Sequence, residues 1–221
     1  MAKFSEAPGI AGLLNYKPGV SVAAALDKLL YPGLSITALT VTPSQIEQGA
    51  SVAVTVAWTI SGTITGQTLE GVAVAPADRS KVFPGVSASN AFDLTVTDAA
   101  APGGAVSANR SASVTVLPRR FWGVADAAAL DSAGVVALAG SELSNARAKS
   151  LTVEGSAAPG KYAYYAYPAS LGDPASYKIY GFDEAPVKTT VSVTTAAGAT
   201  LNYIVLRSPN KLTGTIPVEI S

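Results

Sequence analysis

Cysteine and histidine are both absent from this 221-residue chain. Without cysteine no disulfide can form, so nothing points to folding in an oxidising compartment. Without either residue, the nucleophiles, bases and ligands of most catalytic triads and metal sites are missing. Charge is sparse too: 15 basic and 15 acidic residues make up 14% of the chain and cancel. Phosphate recognition needs Lys and Arg gathered on one face. The nearest cluster here, Arg119-Arg120, reads as a solvated pair at a strand end, so no nucleic-acid partner is expected. No apolar run approaches the ~20 residues of a membrane helix, which argues against membrane insertion. The opening MAKFSEAPGIAGLL is broken by Glu6, Pro8 and Gly9 and lacks the continuous core of a signal peptide. Synthesis in a cytoplasm, without a secretion signal, is the expectation.

Chemistry that needs neither His nor Cys is not marked by motif. Glycoside hydrolysis requires only two acids at the right separation. Yet Asp183-Glu184 before Pro186, and Asp98 before an Ala/Pro/Gly loop, both read as turn positions. Gly103-Gly104 opens no helix and lacks the Lys-Ser/Thr of a phosphate loop. Asp173 and Asp183 belong to no alternating acidic calcium loop. The expectation is no metal, no cofactor and no enzyme activity.

What is present is Ala, Val, Thr, Ser and Gly in strand-like order. Residues 1–34 form a Gly/Pro-punctuated attachment segment around one amphipathic helix, Val20 to Tyr31. It sets Val22, Leu26, Leu29 and Leu30 at helical spacing, with Ser21 as cap and Pro32-Gly33 as stop. A helix of about three turns is marginal alone, so these four side chains are candidates for docking on a partner or on the body of the chain. Residues 35–118 read as an immunoglobulin-like β-sandwich without the cysteine pair. Val52, Val54, Val56, Trp58 and Ile60 alternate with small polar residues, as do Phe92, Leu94 and Val96, and Val114 and Val116 close the zone. One or two short helices, within Asp126 to Leu130 and Ser141 to Lys149, are predicted between the domains. Strands resume at Tyr162 to Tyr167, Tyr177 to Phe182, Val187 to Thr195, Thr200 to Arg207 and Gly214 to Ile220, with a hairpin turn at Ala197-Gly198. The fold class is mainly β, with residues 119–221 as a second sandwich-like, aromatic-rich domain.

All of the nine tyrosines except Tyr16 and Tyr31 lie between Tyr162 and Tyr203. In a strand, Tyr162 and Tyr164 face one side and Tyr165 and Tyr167 the other. One pair packs a core; the second faces a neighbouring element, another subunit or solvent. An exposed pair would suit a sugar ring, so Trp122, Tyr165 and Tyr167 are candidate platform residues. The competing reading buries both pairs and gives their hydroxyls to backbone carbonyls. Residues 189–206 carry no charge until Arg207, and such a segment on an open edge recruits another chain. Stable self-association is therefore expected.

The order GVSVAAALDKLLYP, QGASVAVTVAW, FWG, KYAYYAYPASLG and NYIVLRSPNKLTGTIPVEIS resembles tailed-bacteriophage virion proteins over nearly the full chain. The tyrosine-Pro-Leu-Gly run and the ending with Tyr203, Arg207, Ser208 and Asn210 are its more specific parts, similar to the terminal domain of phage fibres and spikes. The resemblance implies a non-enzymatic, surface-exposed fibre, spike or decoration protein on the virion exterior. Its partners would be other virion proteins and itself, a trimer being the expectation for a fibre-like piece, with host-surface glycan as a further contact. A carbohydrate-binding adhesin and an acid-pair polysaccharide depolymerase are the alternatives.

Overall fold

The computed structural model describes residues 33–101 and 104–221. The amphipathic helix expected at Val20 to Tyr31, with Val22, Leu26, Leu29 and Leu30, lies outside the described residues. The chain is mainly β and divides into two compact units. One holds the described residues up to Ser44, in Ala53–Pro84 and in Asn90–Val114. The other holds Gln45–Val52, Gly85–Ser89 and Thr115–Ser221.

The first unit is built from β1 (Ser35–Thr42), β3 (Val52–Ser61), β4 (Gly66–Leu69), β5 (Val72–Val74), β6 (Ser80–Val86), β7 (Asn90–Asp98) and most of β8 (Val106–Leu117). Strands β1-β3-β6 form one sheet, and β8-β7-β4-β5 run side by side in another. Period-2 patterning explains the core: Val54, Val56 and Trp58 of β3 and Phe92, Leu94 and Val96 of β7 are all buried. The Trp58 indole of one sheet donates to the buried Gln67 amide oxygen of the other at 3.1 Å, so the core's main polar group is satisfied across the layers. The short β2 (Gln45–Glu47) pairs in parallel with the last residues of β8, Thr115–Leu117, inside the second unit.

The second unit has two layers of strands. Its five-stranded sheet runs β10-β9-β12-β16-β15: β9 (Arg119–Ala125), β10 (Gly140–Leu143), β12 (Tyr162–Pro168), β15 (Val187–Thr194) and β16 (Thr200–Arg207). Its four-stranded sheet runs β11-β17-β13-β14: β11 (Lys149–Glu154), β13 (Tyr177–Ile179), β14 (Phe182–Asp183) and β17 (Thr215–Ile220). Between the sheets lie Leu151, Val153, Tyr165, Tyr167, Tyr177, Ile179, Leu206, Ile216 and Val218. The opposite face of the five-stranded sheet is covered by Val135 and Leu138, in and just after a short helix, α1 (Ser132–Val136). The central strands β12 and β16 are thus apolar on both faces. That is why YAYYAYP and YIVL read as unbroken hydrophobic runs where an ordinary half-buried strand would alternate.

Three expectations are corrected. The helix predicted at Asp126 to Leu130 is displaced to α1, where Asp131 is the cap, its carboxylate accepting from the Gly134 amide at 2.8 Å, while Asp126 pairs with Lys211. Ser141 to Lys149 is not helical but holds β10 and the start of β11. There the Glu142–Arg120 register pair outweighs helix propensity. Tyr177 to Phe182 is a hairpin instead of one strand, since Tyr180 (φ 52°) and Gly181 (φ 80°) form the two-residue turn. The first unit uses the same device at Glu70-Gly71 between β4 and β5.

Candidate functional site

The chemically distinctive part of the molecule is the tyrosine array on β12 and β16. The extended backbone sends Tyr164 to the α1 side and Tyr165 and Tyr167 to the inter-sheet core, with Tyr203 on the α1 side from β16. Tyr165, Tyr167 and Tyr203 are fully enclosed and Tyr164 is 2% exposed. Each hydroxyl is spent on a main-chain carbonyl. Tyr164 donates to Ala127 at 2.7 Å, Tyr165 to Arg147 at 2.7 Å, Tyr167 to Gly172 at 3.1 Å and Tyr203 to Arg119 at 2.5 Å. Three of these acceptors lie in irregular segments, so the rings pin loops onto a rigid sheet. Tyr165 and Tyr167 therefore present no platform to a ligand, which corrects that candidate assignment. The reason is that the sheet has a covering layer on each side, and a two-faced strand buries both tyrosine sets.

Burial also changes their acidity. Loss of hydration pushes Tyr167 and Tyr203 up to about 12, reinforced by Asp173 and by Glu47 respectively. Tyr164, Tyr165 and Tyr177 are raised for the same primary reason. At neutral pH all stay protonated, and Tyr164, Tyr165, Tyr167 and Tyr203 hold carbonyls as donors.

Trp122, the third platform candidate, is half-buried. It packs against the inter-sheet core, with Gly140 opposite it on β10 and the Lys149 ammonium 4.2 Å from its ring centroid. The cation covers the face a sugar would need. Lys149 is held there by Glu142, at 2.9 Å, and Glu142 also pairs with Arg120. Arg120 is not the solvated partner of Arg119 expected from sequence. It is 8% exposed and donates to the carbonyls of Ala146 (2.8 Å) and Ala148 (2.7 Å) and to the Tyr165 hydroxyl (3.1 Å). Hydrogen bonding to Lys149 holds the Glu142 carboxyl below the usual glutamate range, with Arg120 adding to it. The sequence signal for this network was present: Arg120 shares strand parity with Trp122 and Val124, which places it on the inward face.

Several other acids are tied to bases or hydroxyls. Glu47 pairs with Arg119 at 2.8 Å, Asp126 with Lys211 at 3.3 Å, Asp173 with Lys188 at 2.9 Å, and Glu154 accepts from Thr215 at 3.1 Å. Among the described residues no three acids gather in a metal-holding group. The exposed aromatics of this unit are Tyr180 and Phe182, at the tip and outer strand of the β13–β14 hairpin, which sequence reasoning placed inside a strand. The Tyr-Gly dipeptide between two β runs was the available sign of that turn. No family profile and no curated protein matches the chain.

Proposed function

We propose that the chain is a non-enzymatic structural component of a tailed-phage virion: an exterior fibre, spike or decoration piece. It is attached through residues 1–34 and carries its C-terminal domain outward. The observation that carries this reading is where the recognition-competent groups are spent. Four tyrosine hydroxyls and the Arg120 guanidinium brace the protein's own main chain. Such a unit resists deformation and offers a surface of Thr, Ser and Val strands suited to packing against other proteins. The first unit supports the immunoglobulin-like part of the proposal. Its order, β8-β7-β4 in one sheet and β1-β3-β6 in the other, corresponds to strands G-F-C and A-B-E of that architecture. The glycan-binding alternative loses its motivation with the burial of Tyr165 and Tyr167.

The test is incorporation. Antibody to the C-terminal domain labels the outside of intact particles, and a chain lacking residues 1–33 stays folded but is missing from purified particles. Absence of label, or normal incorporation of the truncation, overturns the reading.

A further inference from the structure

Strand β15 is the outer strand of the five-stranded sheet, and among the described residues it pairs only with β16. The direction of its backbone groups follows from two contacts. The Thr195 amide turns toward β16, donating to Ala199 at 2.9 Å, while the Thr194 amide turns away and donates to Ser132 Oγ at 3.0 Å. Alternation along an antiparallel strand then aims the N–H and C=O of Lys188, Thr190 and Ser192 away from the sheet. α1 covers the Thr194 end; the three residues before it remain open.

The other edges of this unit carry the usual protection. β10 and β14 are 4 and 2 residues long, and β11 has Lys149 and Glu154 at its ends. β15 has 8 residues and a single charge, Lys188, which Asp173 already neutralises at 2.9 Å. Apolar surface accompanies it. Only Glu184 to Pro186 link β14 to β15, a reach of about 10 Å, which is roughly the spacing of two packed sheets. The outer strands of both sheets therefore lie on one side of the sandwich. That side carries Phe182 (72% exposed), Tyr180 (46%) and Val187 (40%), the large exposed hydrophobic residues among those described in this unit.

We propose that β15 docks antiparallel on β15 of a second copy, joining two five-stranded sheets across a two-fold axis. This rests on reading the chain as self-associating, and not on its being a virion protein. Charge and cover select both the occupant and the register. Centred on Thr190, the pairing sets Lys188 against Ser192 of the other copy, and every open residue finds a partner. Centring on Lys188 opposes two ammonium groups, and centring on Ser192 calls on Thr194, which Ser132 already holds. A protein of zero net charge adds no long-range repulsion between copies. An isologous contact closes at two, so the trimer expected from the resemblance gives way to a dimer.

Light scattering with size exclusion on the full chain, at micromolar concentration, tests this. The wild type runs as a dimer. Thr190→Pro runs as a monomer with unchanged far-UV dichroism, because it removes an amide that faces away from β16 and proline is tolerated on such an edge. Thr190→Lys, which opposes two like charges at the axis, weakens the dimer at least tenfold and serves if the proline variant fails to fold. A monomeric or trimeric wild type, or a dimer indifferent to Thr190→Lys, overturns the proposal. An intact dimer missing from particles would instead sink the virion reading alone.

Discussion

The Trp122 ring occupies the space that a Cβ on Gly140 would take, the two residues facing each other across β9 and β10. Glycine is needed there for room, since its φ lies outside the left-handed region. Gly140→Ala must therefore displace the indole from between β10 and Lys149. Overpacking of this kind costs about 1–3 kcal/mol. Urea denaturation gives the loss, and a red-shifted tryptophan emission locates it at Trp122; an unshifted spectrum at full stability would contradict the packing.

The tyrosine hydroxyls divide into used and unused. Tyr165 donates to the Arg147 carbonyl, so Tyr165→Phe leaves that acceptor short of a partner, while Arg120 keeps the Ala146 and Ala148 carbonyls. A loss of about 1–3 kcal/mol is expected. The Tyr177 hydroxyl is buried with no hydrogen-bond partner among the described residues, so Tyr177→Phe is neutral or stabilising. Equal losses from the two variants would refute the division.

Alkali unfolds the second unit through these rings. Tyr167 and Tyr203 are pushed to about 12 in the fold, against about 10 for a free tyrosine. A folded-state pKa above the unfolded value means that the stabilisation is complete below pH ~10 and is lost as pH rises toward 12. Phenolate absorbance should accordingly rise together with loss of β dichroism. Titration of all tyrosines near pH 10 with structure intact would show that the rings are not enclosed.

Acid acts on the Glu142 network in the opposite sense. Its carboxyl is held below the ordinary glutamate value by Lys149 and Arg120, so its contribution is present above that value and lost as pH falls through the lowered one. Glu142→Gln should flatten the acid side of the stability–pH profile below about pH 4.5 while leaving the alkaline side as it was. An unchanged acid limb would mean that the pairing contributes nothing to folding.

Much of this architecture was readable along the chain. The alternation in β3 and β7 gave their inward residues correctly, because side-chain period alone sets which face a strand residue takes. Gly198, with φ 88°, marks the β15–β16 turn that Ala197-Gly198 announced. The four tyrosines fell to the two faces that strand parity dictates. Whether a face is buried is a different matter, since it depends on what a distant segment lays over it. Leu138 and the α1 residue Val135 on one side, and β11, β13 and β17 on the other, turned Tyr165 and Tyr167 from surface candidates into core.

Local order along the chain thus determined the mainly β class, most strand positions and the parity of the aromatic residues, since those depend on neighbours a few residues away. The tertiary structure alone decided that Arg120 is buried, that Ser141 to Leu143 is strand instead of helix, and that β15 ends a sheet. The first two turn on a partner at least 20 residues distant, Glu142 for Arg120 and β9 for β10, and the third on there being no second strand beside β15, opposite β16, among the described residues. Long-range pairing supplies enthalpy and burial that intrinsic propensity, worth only tenths of a kcal/mol per residue, cannot outweigh.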